Sequence, residues 1–172
     1  GQLAINCVAE NCNTAGFLAY CTNNIGQTNA VTRLVSCTAN NNRGDGIRII
    51  DEQSTGQPCI VINRCSLTDN SGYGINGDTY TNNNLRYVTH CGENNVNGNA
   101  TADYNNFSAQ SGDISVDPVY RNVAGFDWTP TEATMDAAGI GTITYYGYST
   151  DPGEVNVRYP TGYVAAGVAM AG

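Results

Sequence analysis

The chain has 172 residues, 41% of them hydrophobic, which suffices for one domain with an extension. Its seven basic residues are all arginine; against fifteen acidic residues they leave a net charge of −8, which sets a nucleic-acid partner aside and leaves polysaccharide or protein. No apolar run approaches the ~18 residues of a spanning helix and no secretion signal stands at the start, so the chain reads as a processed piece that begins inside a repeat.

Asparagine occurs 23 times beside 20 glycines, spread through apolar runs. Both residue types favour turns and tolerate left-handed backbone, so the composition predicts many turns between short strands. Cysteines give the period. Ala4 to Asn11, Leu34 to Asn41, Ile62 to Asp69 and Val88 to Asn95 align on Cys7, Cys37, Cys65 and Cys91, with spacings of 30, 28 and 26. Three before the cysteine stand Ala4, Leu34, Ile62 and Val88; two after it stand Ala9, Ala39, Leu67 and the exception Glu93. Both columns should point inward, which their opposite parity allows only if the chain bends between them. Four after the cysteine come Asn11, Asn41, Asp69 and Asn95, read as a stacked ladder at a turn. A second inward strand begins at Gly16-Phe17, Gly46-Ile47 and Gly74-Ile75, a register that the fourth repeat loses at Gly98.

This pattern over residues 1–107 resembles the pectate-lyase-like superfamily. The resemblance implies an all-β chain: a right-handed parallel β-helix, or solenoid, with a C-terminal capping segment and an extended tail. Residues 108–139, with Asp117-Pro118, Asp127-Trp128 and Asp136-Ala137-Ala138-Gly139, are similar to the closing segment of such proteins, and Asp127-Trp128 would cover the open core. Residues 140–172 change texture: β-prone and tyrosine-rich to Tyr148, turn-forming from Ser149 to Gly153, small and apolar from Tyr163. They read as an arm that docks on another protein subunit, and a homo-oligomer is left open.

The cysteines are expected to be buried thiols acting as small apolar fillers. Cys12, Cys21 and Cys59 lie outside the column and leave a bridge among them open. No metal site is expected: there is no Cys-x-x-Cys, and the one histidine, His90, flanks Cys91 and should point away from it. Asn99-Ala100-Thr101 and Asn106-Phe107-Ser108 are formal glycosylation sequons of the kind that chance supplies in so asparagine-rich a chain.

Enzymes of the superfamily work with carboxylates, or with calcium and an arginine base. On that resemblance the catalytic candidates are Asp45, Arg48, Asp51, Glu52, Asp69 and Asp78, with Tyr73 and Tyr80 as sugar-stacking surfaces. Calcium follows only from a lyase-like activity. Against this stands the absence of the glycosidase paired-aspartate motif and of a clustered aspartate set beside an arginine. The sequence therefore points first to a non-enzymatic structural or adhesive protein, extracellular or on a virion surface. A polysaccharide lyase or glycoside hydrolase comes second, and a glycan-binding module without turnover third.

Overall fold

The computed structural model describes residues 3–21, 32–51, 60–77, 91–125, 127–138 and 140–141. Three parallel sheets dominate it. Among the described residues, each of the first three repeats gives one strand to each sheet, and the fourth gives one to the second and one to the third. The first sheet holds β1 (Leu3–Ile5), β4 (Thr32–Val35) and β7 (Ile60–Asn63). The second holds β2 (Val8–Glu10), β5 (Thr38–Asn40), β8 (Ser66–Thr68) and β10 (Asn95–Asn97). The third holds β3 (Ala15–Cys21), β6 (Asp45–Asp51), β9 (Tyr73–Asn76) and β11 (Ala102–Asn105). The chain is thus predominantly β. Among the described residues, no helix is long and apolar enough to cross a membrane.

Strict in-register pairing stacks like on like. Ala4 lies beside Leu34 and Leu34 beside Ile62 in the first sheet; Ala9, Ala39, Leu67 and Val96 follow one another in the second. Phe17, Ile47, Ile75 and Tyr104 do so in the third. These inward columns make one apolar core, in which Ile47, Ile60, Ile62, Leu67 and Ile75 are wholly buried.

The bend that opposite parity demands is a single left-handed residue. Asn6, Ser36, Arg64 and Glu93 have φ of 54, 51, 54 and 57° and turn the chain from the first sheet to the second. Asn11, Asn41 and Asp69, at 54, 52 and 56°, turn it from the second to the third. Asparagine and aspartate tolerate this conformation better than other side chains, which accounts for one of the two columns.

Register corrects the reading of the fourth repeat. Asn95 pairs with Ser66 and Val96 with Leu67, so Asn94 stands where Cys65 stands and Gly98, at φ 69°, takes the corner of Asp69. Asn95 is therefore not a member of the Asn11, Asn41 and Asp69 column. Gly92 bridges Asn63, which puts Cys91 in the core column of Ile62 and not in that of Cys7, Cys37 and Cys65. Glu93 is the left-handed corner residue and does not interrupt the inward column, which Val96 continues.

The segment after β11 has two tasks. Its first part closes the stack: Phe107 enters the core, Ile114 bridges Asn95, and the amide of Val96 donates to Ile114 O at 3.0 Å. The second part lies on the outside of the second sheet. It comprises β12 (Tyr120–Asn122), a 3-10 turn at Val123–Gly125, β13 (Asp127–Pro130) antiparallel to β12, and α1 (Ala133–Ala138). Tyr120 places its hydroxyl 2.8 Å from Ser66 Oγ and 3.1 Å from Thr68 Oγ1, both on the outward side of β8. Trp128, 2% exposed, meets the Tyr120 ring edge-on at a centroid distance of 5.1 Å. Trp128 thus covers the flank of a sheet and not the open end of the core, where the sequence reading had put it. Beneath this cover the outward residues Thr38, Ser66, Thr68 and Asn95 are wholly buried.

Candidate functional site

Two inward ladders run along the corners, one residue beyond each left-handed position. At the second corner the positions are Cys12, Asn42, Asn70 and Asn99. Asn42 Nδ2 donates to Asn70 Oδ1 at 2.8 Å, and Asn70 Nδ2 to Asn99 Oδ1 at 2.9 Å. Each amide also donates back to the preceding repeat, to Ala9 O, Ala39 O and Leu67 O. Each Oδ1 takes the backbone N–H of the ladder residue before it: Cys12, Asn42 and Asn70. Every polar atom that a buried asparagine brings is thereby used. The buried ladder is thus displaced by one residue from the column read in the sequence, whose members Asn11 and Asn41 bond to each other on the exposed side.

At the first corner the ladder positions are Cys7, Cys37, Cys65, Asn94 and Asp113. Here thiols do the work of amides. Cys37 Sγ donates to Ala4 O and Cys65 Sγ to Leu34 O, each at 3.5 Å, and Asn94 Nδ2 donates to Ile62 O at 3.2 Å from the equivalent place. Asp113 ends the column by accepting from Asn94 N, Asn94 Nδ2, Gln110 N and the Tyr104 hydroxyl. Cys7, Cys12, Cys37, Cys65 and Cys91 carry no disulfide. Burial pushes the Cys65 thiol up and Cys91 to about 11. Cys21 and Cys59 have no described side chain, so the bridge left open for them lies outside the described residues.

The residues proposed for chemistry do not converge. Asp45 is buried, and its carboxylate is occupied: Tyr73 N donates to Oδ1 at 2.9 Å and Asn76 Nδ2 to Oδ2 at 2.8 Å. It locks β6 to β9. Arg48 is exposed on the outer face of the third sheet, between Leu18 and Asn76. Tyr73 is half-buried at the start of β9, paired with Ala102. Asp51 ends β6 with its side chain outside the description, and Glu52, Asp78, Tyr80 and His90 lie outside the described residues altogether.

Sequence reasoning passed over Asp117 as a neighbour of Asp69. Burial first, and the Asp117 charge second, raise the Asp69 carboxyl above its ordinary value. Their proximity comes from the segment that closes the stack, and only the tertiary structure shows it. Among the described residues no group of three or more His, Cys, Asp or Glu side chains could hold a metal ion. Asp45, with both oxygens engaged, does not fit a calcium ligand.

Two phenols stand in unusual environments, Tyr120 in the cover and Tyr104 in β11. Burial pushes the Tyr120 hydroxyl up to about 12 from an ordinary 10.0, opposed by bonds from Ser66 and Thr68. Tyr104, half-buried and bonded to Asp113, is raised as well, by burial first and the Asp113 charge second. Raised values mean that the folded state favours the protonated phenol. The Tyr120 contribution is complete below about pH 10 and is lost as pH climbs toward 12. Alkaline titration followed by phenolate absorbance should show Tyr120 and Tyr104 ionising late, with the cover lifting as Tyr120 ionises. A single titration step near pH 10, with no lagging phenols, would contradict this burial.

No protein-family model, curated protein or solved structure matches the chain.

Proposed function

We propose that the chain is a right-handed parallel β-helix of the pectate-lyase-like kind and serves as a non-enzymatic structural or adhesive element on a virion or cell exterior. In this reading the tail, read in the sequence as residues 140–172, reaches a partner subunit from beyond Gly141, which itself bonds to Arg64 O. The observation that carries it is the use made of Asp45: a buried carboxylate whose two oxygens are both consumed in tying neighbouring repeats together. The polar chemistry of the interior follows suit, since ladder amides and thiols bond along the stack.

The test is turnover. The full chain, incubated with uronate-containing and neutral polysaccharides, should produce neither unsaturated nor new reducing ends above a heat-treated control. Cleavage of any of them that disappears in Asp69→Asn would sink the structural reading. It would install the second one, a carbohydrate enzyme working from the Asp69 and Asp117 pair. That alternative has one observation in its favour, the raised Asp69 carboxyl beside a second aspartate.

A further inference from the structure

The three cysteines of the first corner are built alike. Pairing of Ile5 with Val35 and of Val8 with Thr38 places Cys7 beside Cys37. Pairing of Val35 with Asn63 and of Thr38 with Ser66 places Cys37 beside Cys65. Each follows a left-handed residue, Asn6, Ser36 or Arg64, at φ of 54, 51 and 54°. Each thiol also sits 3.4 Å from the carbonyl oxygen two residues before it, on Ile5, Val35 and Asn63, so the three side chains share one orientation. Like backbones and like orientations stack the sulfurs in a row at the strand repeat, about 4.8 Å.

That interval selects the chemistry. A disulfide needs Cβ atoms about 3.5–4.5 Å apart and converging sulfurs, and parallel side chains at the strand repeat offer neither. A metal centre of three or more ligands is excluded as well: among the described residues no such group of His, Cys, Asp or Glu could hold an ion. Two thiolates in line are a different case. Two metal–sulfur bonds of about 2.3 Å laid end to end span about 4.6 Å, close to the strand repeat. Inward side chains stand across the stack, so a metal bond along it leaves each sulfur near a right angle, as thiolates prefer. Soft closed-shell cations select thiolate ligands, and several take two of them in line.

Cys37 is the centre of the row. Hydrogen bonding from Cys65 lowers its thiol below the ordinary value, whereas burial raises Cys65, so the first thiolate forms at Cys37. Of its two neighbours Cys65 is buried and Cys7 exposed, and an ion arriving from solvent meets Cys7 first.

We propose that Cys7 and Cys37 form a two-coordinate site for a soft, divalent, closed-shell cation, with mercuric ion as the probe. Binding replaces two S–H bonds with two metal–sulfur bonds and releases both protons to water. The ion and the two thiolates sum to zero charge, so the core cluster around Cys37, Leu34 and Ala39 accepts the site without burying a net charge. The bound ion ties the first repeat to the second.

The full-length chain, reduced and kept under argon, would be given mercuric ion in an excess of a small monothiol. The monothiol strips single cysteines but competes poorly with a preorganised pair. The expected result is one ion retained per chain, two sulfur neighbours at about 2.3 Å by X-ray absorption, and a raised urea midpoint. Cys12→Ser, at the other corner, should retain the ion; Cys7→Ser and Cys37→Ser should each lose it. Cys7 is exposed, so Cys7→Ser carries the test if Cys37→Ser does not fold, with far-ultraviolet dichroism as the check. Retention by Cys7→Ser overturns the proposal, because another pair then holds the ion. Loss in Cys12→Ser, a third sulfur neighbour or a lowered urea midpoint overturns it too.

Discussion

Replacing Asn70 with alanine should remove a large part of the stability of the fold, about 3–5 kcal/mol, and lower the urea midpoint accordingly. Asn70 occupies the middle of the amide ladder. Its Oδ1 accepts from the backbone and the side chain of Asn42, and its Nδ2 donates to Ala39 O and to Asn99. Alanine leaves the Asn42 N–H buried without a partner and strips one bond each from the Asn42 amide, the Ala39 carbonyl and the Asn99 amide oxygen. Each orphaned group costs about 1–3 kcal/mol. The control is one repeat and one residue away: Asn41→Gly loses only an exposed bond to Asn11 and keeps the left-handed corner without strain. It should stay within about 0.5 kcal/mol of the parent. If Asn70→Ala costs under about 1 kcal/mol, the ladder is decorative and the apolar columns alone hold the repeats together.

Trp128→Ala should release the cover while the stack survives. The side chain is 2% exposed and packs on Tyr120, so truncation costs about 3–5 kcal/mol. That loss falls on a contact outside the apolar core of the stack. Arg121 lies within β12 and offers trypsin a reporter, because cleavage there needs the β12 and β13 pair to open. Cleavage after Arg121 should accelerate more than tenfold in the variant, with far-ultraviolet dichroism nearly unchanged. Had Trp128 plugged the end of the core, residues 91–107 would loosen first instead. Hydrogen exchange that rises there before it rises at β12 would refute the placement on the flank.

The repeat was legible because like residues must stack over like, and a column of Leu34 and Ile62 or of Ala39 and Leu67 survives drift elsewhere. Its fourth member was misread for a chemical reason. Cysteine is small and apolar enough for a core column and carries a donor suited to a ladder, so Cys91 in the first role looked like Cys65 in the second. The interval between the two corners holds the better signal. Cys7 and Cys12, Cys37 and Asn42, Cys65 and Asn70, and Asn94 and Asn99 are all five apart. The cover could not be read from local pattern. Thr38, Ser66 and Asn95 are polar at outward positions, as any solvent-facing strand would be, and they are buried because Tyr120 and Gly141 return to them from far along the chain. Of the proposed site, Asp45 was found as a carboxylate beside a glycine. Its partners Tyr73 and Asn76 lie 28 and 31 residues on, beyond any local motif.

The uniform step of the ladders also sets an order of assembly. Asn42 reaches Asn70 across 28 residues and Asn70 reaches Asn99 across 29, so each new repeat needs only its immediate predecessor as a template. Tyr120 must return to Ser66 across 54 residues, to a surface that exists only once β8 and its neighbours are in place. A chain emerging from its N-terminus can therefore lay down one repeat after another as they are made, each closing a loop of similar entropy. The hydroxyl and amide face of the second sheet stays wet until the last segment arrives. Its polarity keeps that unfinished surface from sticking to other chains in the interval, which a row of leucines would not do.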